Sequence, residues 1–238
     1  SFFESSRYAP YREPGNIKLP FWLTPQRVYV GPAWFARTVN IPQSWAGRRI
    51  SLHLERPHWT TTCYVDGRKV GFADSLVTPH VYELSDSLTP GEHTILLRVD
   101  NRMYINVGPN AHSISDHTQG NWNGIVGKIE LRATPRVWIE DMRIDPDVGN
   151  NQARLRIKLG NTTGRGADGE LRVAAFSDGH RPQPLRRKVE IAAEGGFVEL
   201  TYPLSAKAKR WSEFTPNVYE LSIRLDTDAG RHSTAESF

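Results

Sequence analysis

Residues 152–161 read QARLRIKLGN, with Leu155, Ile157 and Leu159 at every second position and Arg154, Arg156 and Lys158 between them. A period of two sends successive side chains to opposite faces of an extended strand. The three apolar residues therefore share a core-facing side, and the three cations form a solvated strand face. No helix of 3.6 residues per turn would sort these residues so cleanly.

The same alternation continues outward in both directions. Upstream lies VWIEDMRI (137–144), and downstream lie GELRVAAFS (169–177), LRRKVEIA (185–192), GFVELTYPL (196–204), VYELSIRLD (218–226) and RHSTAESF (231–238). Turn chemistry separates them at DPDVGNN (145–151), TTGRGADG (162–169) and AAEGG (192–196). Seven strands in about 100 residues predict an immunoglobulin-like β-sandwich. It has no cysteine pair and must hold by packing alone.

Pro135 ends the strand before this series and sets a boundary, giving domains at 1–134 and 135–238. The first part alternates as well, at QRVYV (26–30), AWFARTVNI (33–41), RRISLHLE (48–55), TTCYVDG (61–67), RKVGF (68–72), HVYELS (80–85), HTILLRVD (93–100) and GKIELRA (127–133). VDGRKV reads as a hairpin on Asp66-Gly67, and LTPGEH as a turn centred on Pro90-Gly91. Such a run of short strands around an aromatic-rich core predicts a jelly-roll β-sandwich. The fold class is all-β, two sandwiches in succession.

Composition excludes several function classes. Of 238 residues 38% are hydrophobic and 24% charged, which supports packed cores and argues against disorder. The net charge is +4, and the cations are scattered, the densest runs being RR (48–49), RRK (186–188) and KAKR (207–210). A nucleic-acid partner would want them gathered on one face, so none is expected. Cys63 is the single cysteine and sits in an alternating run, the place of a buried structural thiol. No apolar run approaches the 18 residues that a membrane span requires. The opening SFFESSRYAPYREPG lacks the basic start and apolar core of a signal peptide. The compartment expected is periplasmic or extracellular with any signal already removed, the cytoplasm being the alternative.

Residues 28–55, VYVGPAWFARTVNIPQSWAGRRISLHLE, resemble the opening of the sugar-binding domain of glycoside hydrolase family 2, which includes β-galactosidases, β-glucuronidases and β-mannosidases. Gly31, Trp34, Phe35, Pro42, Trp45, Gly47, Arg48 and Leu52 carry the match. CYVDGRKVG (63–71) and TPHVYELSDSLTPGEHTILLRVDN (78–101) extend it, and RWSEFTPNVYELSIRLD (210–226) is similar to a motif of the family's immunoglobulin-like domain through Trp211, Ser212, Pro216, Tyr219 and Leu221. The resemblance implies a galactose-binding-like jelly roll and an immunoglobulin-like domain that together brace a C-terminal catalytic (β/α)8 barrel. Nothing in the sequence has the βα alternation of a barrel. The chain is therefore expected to be an N-terminal, non-catalytic fragment, inactive alone, with its own barrel and a carbohydrate as partners.

Retaining glycosidases hold two carboxylates about 5 Å apart, and the resemblance implies that both are glutamates on barrel strands. Glu170, Glu190 and Glu199 read instead as solvated strand residues, so no catalytic residue is assigned. The unusual stretch is NVGPNAHSISDHTQGNWNGIVGKIEL (106–131), a long polar loop before the last strand of the first domain. Sugar sites combine an aromatic ring with amides and carboxylates, and in the resembled family this loop reaches toward the barrel. The expected carbohydrate-facing residues are Asp116, His117, Gln119, Asn121 and Trp122. The alternative is that the polar groups satisfy the loop backbone and Trp122 plugs the sandwich. NGIVG (123–127) occupies the family's GGIyR place, with Val126 and Gly127 where an aromatic and an arginine usually stand.

Three further readings follow from the residues. His112, Asp116 and His117 are too few and too loosely spaced for a metal centre, so neither metal nor cofactor is expected. DPDVGNN lacks the glycine and closing glutamate of a calcium loop and reads as a hairpin turn. Trp34 and Phe35 are adjacent, so one should enter the core and the other pack on a neighbour; Trp22 falls in the lead-in across the first sandwich, and Trp59 on a loop tip, where stacking on a glycan competes with core packing. A free-standing carbohydrate-binding or adhesion module is the alternative to the glycosidase fragment.

Overall fold

A computed structural model describes residues 29–105 and 122–238 together with Ser6 and Ala9. Trp22, His112, Asp116, His117, Gln119 and Asn121 lie outside the described residues. The chain divides into two units, one reaching Arg132 and a second formed by Ala133–Phe238 with Gly47–Arg49.

The first unit contains β1 (Pro32–Ile41), β2 (Arg49–His58), β3 (Thr60–Val65), β4 (Arg68–Asp74), β5 (His80–Glu83), β6 (Gly91–Asp100) and β7 (Gly124–Thr134). Their pairing gives one sheet ordered β1-β6-β3-β4 and another ordered β5-β2-β7. Ile50, Leu52 and Leu54 from one sheet share a core with Cys63, Val65, Ile95 and Leu97 from the other. Two sheets that bury facing sides in common make a sandwich. Burial pushes the Cys63 thiol up to about 12, so it behaves as a core hydrophobe rather than a nucleophile. The β3–β4 hairpin turns on Asp66 (φ 48°) and Gly67 (φ 79°), both left-handed as a type I′ turn requires. The Asp66 carboxylate accepts the Thr94 amide at 2.8 Å and bonds His93 Nδ1 at 2.6 Å, tying the turn to β6.

The second unit contains β8 (Val137–Asp147), β9 (Gln152–Asn161), β10 (Ala167–Phe176), β11 (Leu185–Ile191), β12 (Gly196–Pro203), β13 (Glu220–Thr227) and β14 (Gly230–Ser237). Sheets β12-β9-β8 and β11-β10-β13-β14 enclose the core. Leu155, Ile157 and Leu159 are buried as the alternation requires, facing Leu171, Val173, Leu221, Ile223 and Leu225. The constant-type immunoglobulin sandwich places four strands in its first sheet and three in its second. Here β11 stays paired with β10, and the counts are reversed.

Several expectations are corrected. Tyr29 and Val30, the end of the expected first strand, are not in a strand. Trp34 and Phe35 do face opposite sides of β1, yet neither is core: they are 57% and 47% exposed, because β1 is an edge strand. Trp59 is no loop tip but a core residue, 2% exposed, seated between β2 and β3. β8 runs on through Asp145-Pro146-Asp147, and the turn expected over 145–151 is confined to its latter part, where Asn151 has φ 48°.

Candidate functional site

The long segment between β6 and β7 has Asn101 and Asn123 as its two feet. Asn101 Nδ2 donates to Asn123 Oδ1 and, at 2.7 Å, to the Tyr29 carbonyl. Its Oδ1 accepts the Gly31 amide at 2.7 Å. One planar amide thereby fixes three chain segments, using its donor and acceptor sides at once.

Beside it, Asp100 ends β6 with its carboxylate fully buried. Oδ2 accepts from Arg98 Nη2 at 2.7 Å and Arg102 Nη2 at 2.6 Å, and Oδ1 from Arg102 Nε at 2.9 Å and its amide at 3.2 Å. The Arg102 fork holds the carboxyl well below the usual carboxylate range, and the carboxylate raises Arg102 in turn. A buried anion is tolerable because its oxygens are saturated by charged donors. The Asp100 carbonyl accepts the Trp59 amide at 3.0 Å, and Trp59 Nε1 donates to Asp74 Oδ1 at 2.6 Å. Tyr104, just inside the loop, sets its ring edge toward Trp59 with centroids 6.4 Å apart.

A second polar group lies under this end of the sandwich. His80 Nε2 donates to the Ser75 carbonyl at 3.0 Å, which leaves Nδ1 to accept the Thr61 hydroxyl at 2.6 Å. The Tyr82 hydroxyl lies 2.6 Å from Thr61 Oγ1, and burial pushes it up to about 12 while lowering His80. These groups are neutral and structural.

Of the five expected sugar-facing residues, Trp122 alone is among those described. It is half-buried, its Nε1 donates to the Arg56 carbonyl at 3.1 Å, and its ring lies 5.3 Å from that of His58. Its N–H is therefore already engaged, and the residue is not fully buried. The departure at Gly127 has a physical cause. Its φ is 85°, and a Cβ there would lie 2.4 Å from Glu55 Oε2, the oxygen that accepts the Lys128 amide at 2.8 Å. A side chain at that position would be strained by the left-handed φ and would push the Glu55 carboxylate off the Lys128 amide.

The glutamates weighed from sequence lie on open strand faces. Glu170 pairs with Arg186 at 3.3 Å, Glu199 pairs with Arg156 at 3.5 Å, and Glu190 is exposed. Asn123 is legible from the sequence as the entry to β7, whereas the roles of Asp100, Asn101 and Arg102 are not. The VDN run at 99–101 was the available signal, since a polar pair closing an apolar strand calls for partners.

Residues 137–237 match the family described as Glycosyl hydrolases family 2. A β-galactosidase from Aeromonas hydrophila is 23% identical over 237 residues, covering 94% of this chain and 22% of that protein. The β-galactosidase large subunit of Latilactobacillus sakei is 23% identical over 187 residues, covering 77% of this chain and 27% of the subunit. Among solved structures, a putative β-galactosidase from Bacteroides fragilis superposes with a TM-score of 0.77 at 20% identity, over 91% of this chain and 34% of that one. A Bacteroides uniformis β-glucuronidase gives 0.73 at 22% identity, over 88% and 26%. These likenesses show a shared fold, and the chain spans about a quarter of the length of the curated relatives it matches.

Proposed function

We propose, from the premise that residues 137–237 belong to glycosyl hydrolases family 2, that this chain is the non-catalytic, strand-built part of a glycosidase acting on carbohydrate. In this reading the two sandwiches support a catalytic barrel supplied by the rest of the protein. The loop between β6 and β7 shapes its sugar pocket through Asp116, His117, Gln119 and Asn121, with Trp122 as the hinge between loop and sandwich. The observation that carries the reading is the construction at the loop's feet. Asn101 ties both ends of the loop to the lead-in, beside a saturated Asp100–Arg102 pair, which is the rigid support a binding loop needs.

The test is to extend the reading frame past Phe238, express the longer protein beside this chain, and assay both on chromogenic α- and β-glycosides. The expected result is cleavage of one glycoside by the longer protein and none by this chain. Asp116→Ala in the longer protein should then raise KM. A frame that ends at Phe238 would remove the glycosidase reading and leave a free-standing carbohydrate-binding module, tested by glycan binding alone.

A further inference from the structure

The outer face of the sheet β11-β10-β13-β14 carries a charge arrangement that the fold itself does not require. Arg172 on β10 is in register with Arg186 on β11 and with Arg224 on β13. Leu171, Val173, Leu221, Ile223 and Leu225 fill the inner face, so all three arginines belong to the outer one. Residues directly opposite have Cβ atoms about 4.5–5.5 Å apart, and like charges there destabilise a sheet. The flanking pair is relieved: Arg186 lies 3.3 Å from Glu170, and Arg224 lies 2.7 Å from Asp226. Arg172, between them on a central strand, is half-buried and has no anionic partner among the described residues.

The surface beside this row is a shelf. Its next row is Ala174, Ser222 and Ala235, small side chains that leave the guanidinium row open from that side. Ser222 Oγ donates to the Ala174 carbonyl at 3.3 Å and keeps its lone pairs for an incoming hydroxyl. Phe176 closes the shelf, 41% exposed, with the Arg181 guanidinium 4.6 Å from its ring centroid. Phe176 lies four positions along the strand from Arg172, about 13 Å at the usual rise. On the other side of the arginine row, Asp168, Glu170, Glu190, Asp226 and Asp228 line an acidic hollow of about 790 Å³. An anion is thus drawn to the arginine row and repelled on its acidic side, while on the other side the shelf runs past Ala174 and Ser222 to Phe176, whose cross-strand neighbour is Glu220.

We propose that this face binds a carboxylate-bearing saccharide, its carboxylate on Arg172 between Arg186 and Arg224 and a neighbouring sugar ring against Phe176. A guanidinium fork matches a carboxylate in two hydrogen bonds, and an aromatic ring accepts the C–H face of a sugar. A protein partner would need a larger apolar centre than one ring and a floor of alanine and serine provide. The site is built from residues of the second unit alone and needs no hydrolysis.

Titration of the full chain with trigalacturonate, followed by calorimetry, tests it. Neutral galactotriose, inorganic sulfate and an Asp/Glu-rich peptide serve as comparisons. Trigalacturonate should saturate, and the three comparisons should bind at least tenfold more weakly. Arg172→Gln should weaken trigalacturonate roughly tenfold or more, the worth of a bidentate charged contact. Phe176→Ser should weaken it several-fold, and Arg68→Gln, on the first unit, should change nothing. Arg172→Gln should also melt no lower than the parent, because it removes a like-charge contact, so lost binding is not lost fold. Absence of saturation, equal binding of sulfate or of the peptide, or an unchanged Arg172→Gln would each overturn the proposal. Since no glycosidase assay enters, either this site or the accessory role above can fail without the other.

Discussion

The two sandwiches are built from the same number of strands but treat buried polar groups differently. Of the nine buried polar side chains among the described residues, seven (Ser51, His58, Thr60, Thr61, Thr62, His80 and Asp100) belong to the first unit, and Asn161 and Ser177 to the second. The second unit is closed by apolar contact, with the Tyr202 hydroxyl accepting the Ala175 amide at 3.2 Å as a polar exception. In the first, Thr61, His80 and Asp100 replace apolar contact with directional bonds, while Thr60 Oγ1 is buried without a partner among the described residues. Apolar burial stabilises without regard to direction, whereas a buried hydrogen-bond network fixes one arrangement. The unit that carries the loop is thus the one whose interior specifies geometry.

That contrast can be broken most forcefully in the apolar core. Leu221→Ala should destabilise the second unit by about 2–5 kcal/mol, the range for a buried leucine that leaves a cavity. Hydrogen exchange read unit by unit should show the loss there and not among β1–β7; a uniform loss would mean the two units unfold as one. Next, Asp100→Asn should lower the first unit's stability by roughly 2–3 kcal/mol by weakening charged hydrogen bonds to Arg98 and Arg102. It should also alter the acid limb. The folded carboxyl is depressed below its unfolded value, so its contribution is complete above the unfolded pKa and is lost as pH falls through the folded one. The Asn variant should lack that acid-dependent component in a urea-midpoint series below pH 4 or so, near the ordinary aspartate value.

Smaller effects sharpen the comparison. Gly127→Ala should cost roughly 1–2 kcal/mol by forcing a side chain into a left-handed position against Glu55, and Glu55→Ala should recover part of it. The smallest is the Asp66–His93 pair at the β3–β4 turn. His93 is raised chiefly by its bond to Asp66, so its contribution is full below the unfolded histidine pKa and fades as pH rises through the folded value. Melting temperatures at pH 5 and pH 9 should differ by less in His93→Gln than in the parent.

The strands were legible because period two and turn residues are local properties. QARLRIKLGN is β9 residue for residue, and Asp66-Gly67 makes the turn its sequence suggests. Position in a sheet is not local. Nothing in PAWFART says that β1 is an edge, so the burial expected for Trp34 or Phe35 fails there. The same limit hid the loop's anchor: Gly31 and Asn101 are 70 residues apart, and only the β1–β6 pairing brings them together. Asp116, His117, Gln119 and Asn121 stand out by their chemistry, whereas the partners that hold the loop's feet are set by topology and, beyond the VDN run itself, leave no local pattern.

The Asn101 amide has a bearing on how such loops diversify. With both feet pinned to each other, the intervening chain is closed at its base whatever its length, and doubling a loop adds only about 0.6 kcal/mol of closure entropy. Insertions, deletions and wholesale exchange of that segment leave the ends of β6 and β7 joined through Asn101 and Asn123. The segment is a cassette on a fixed socket.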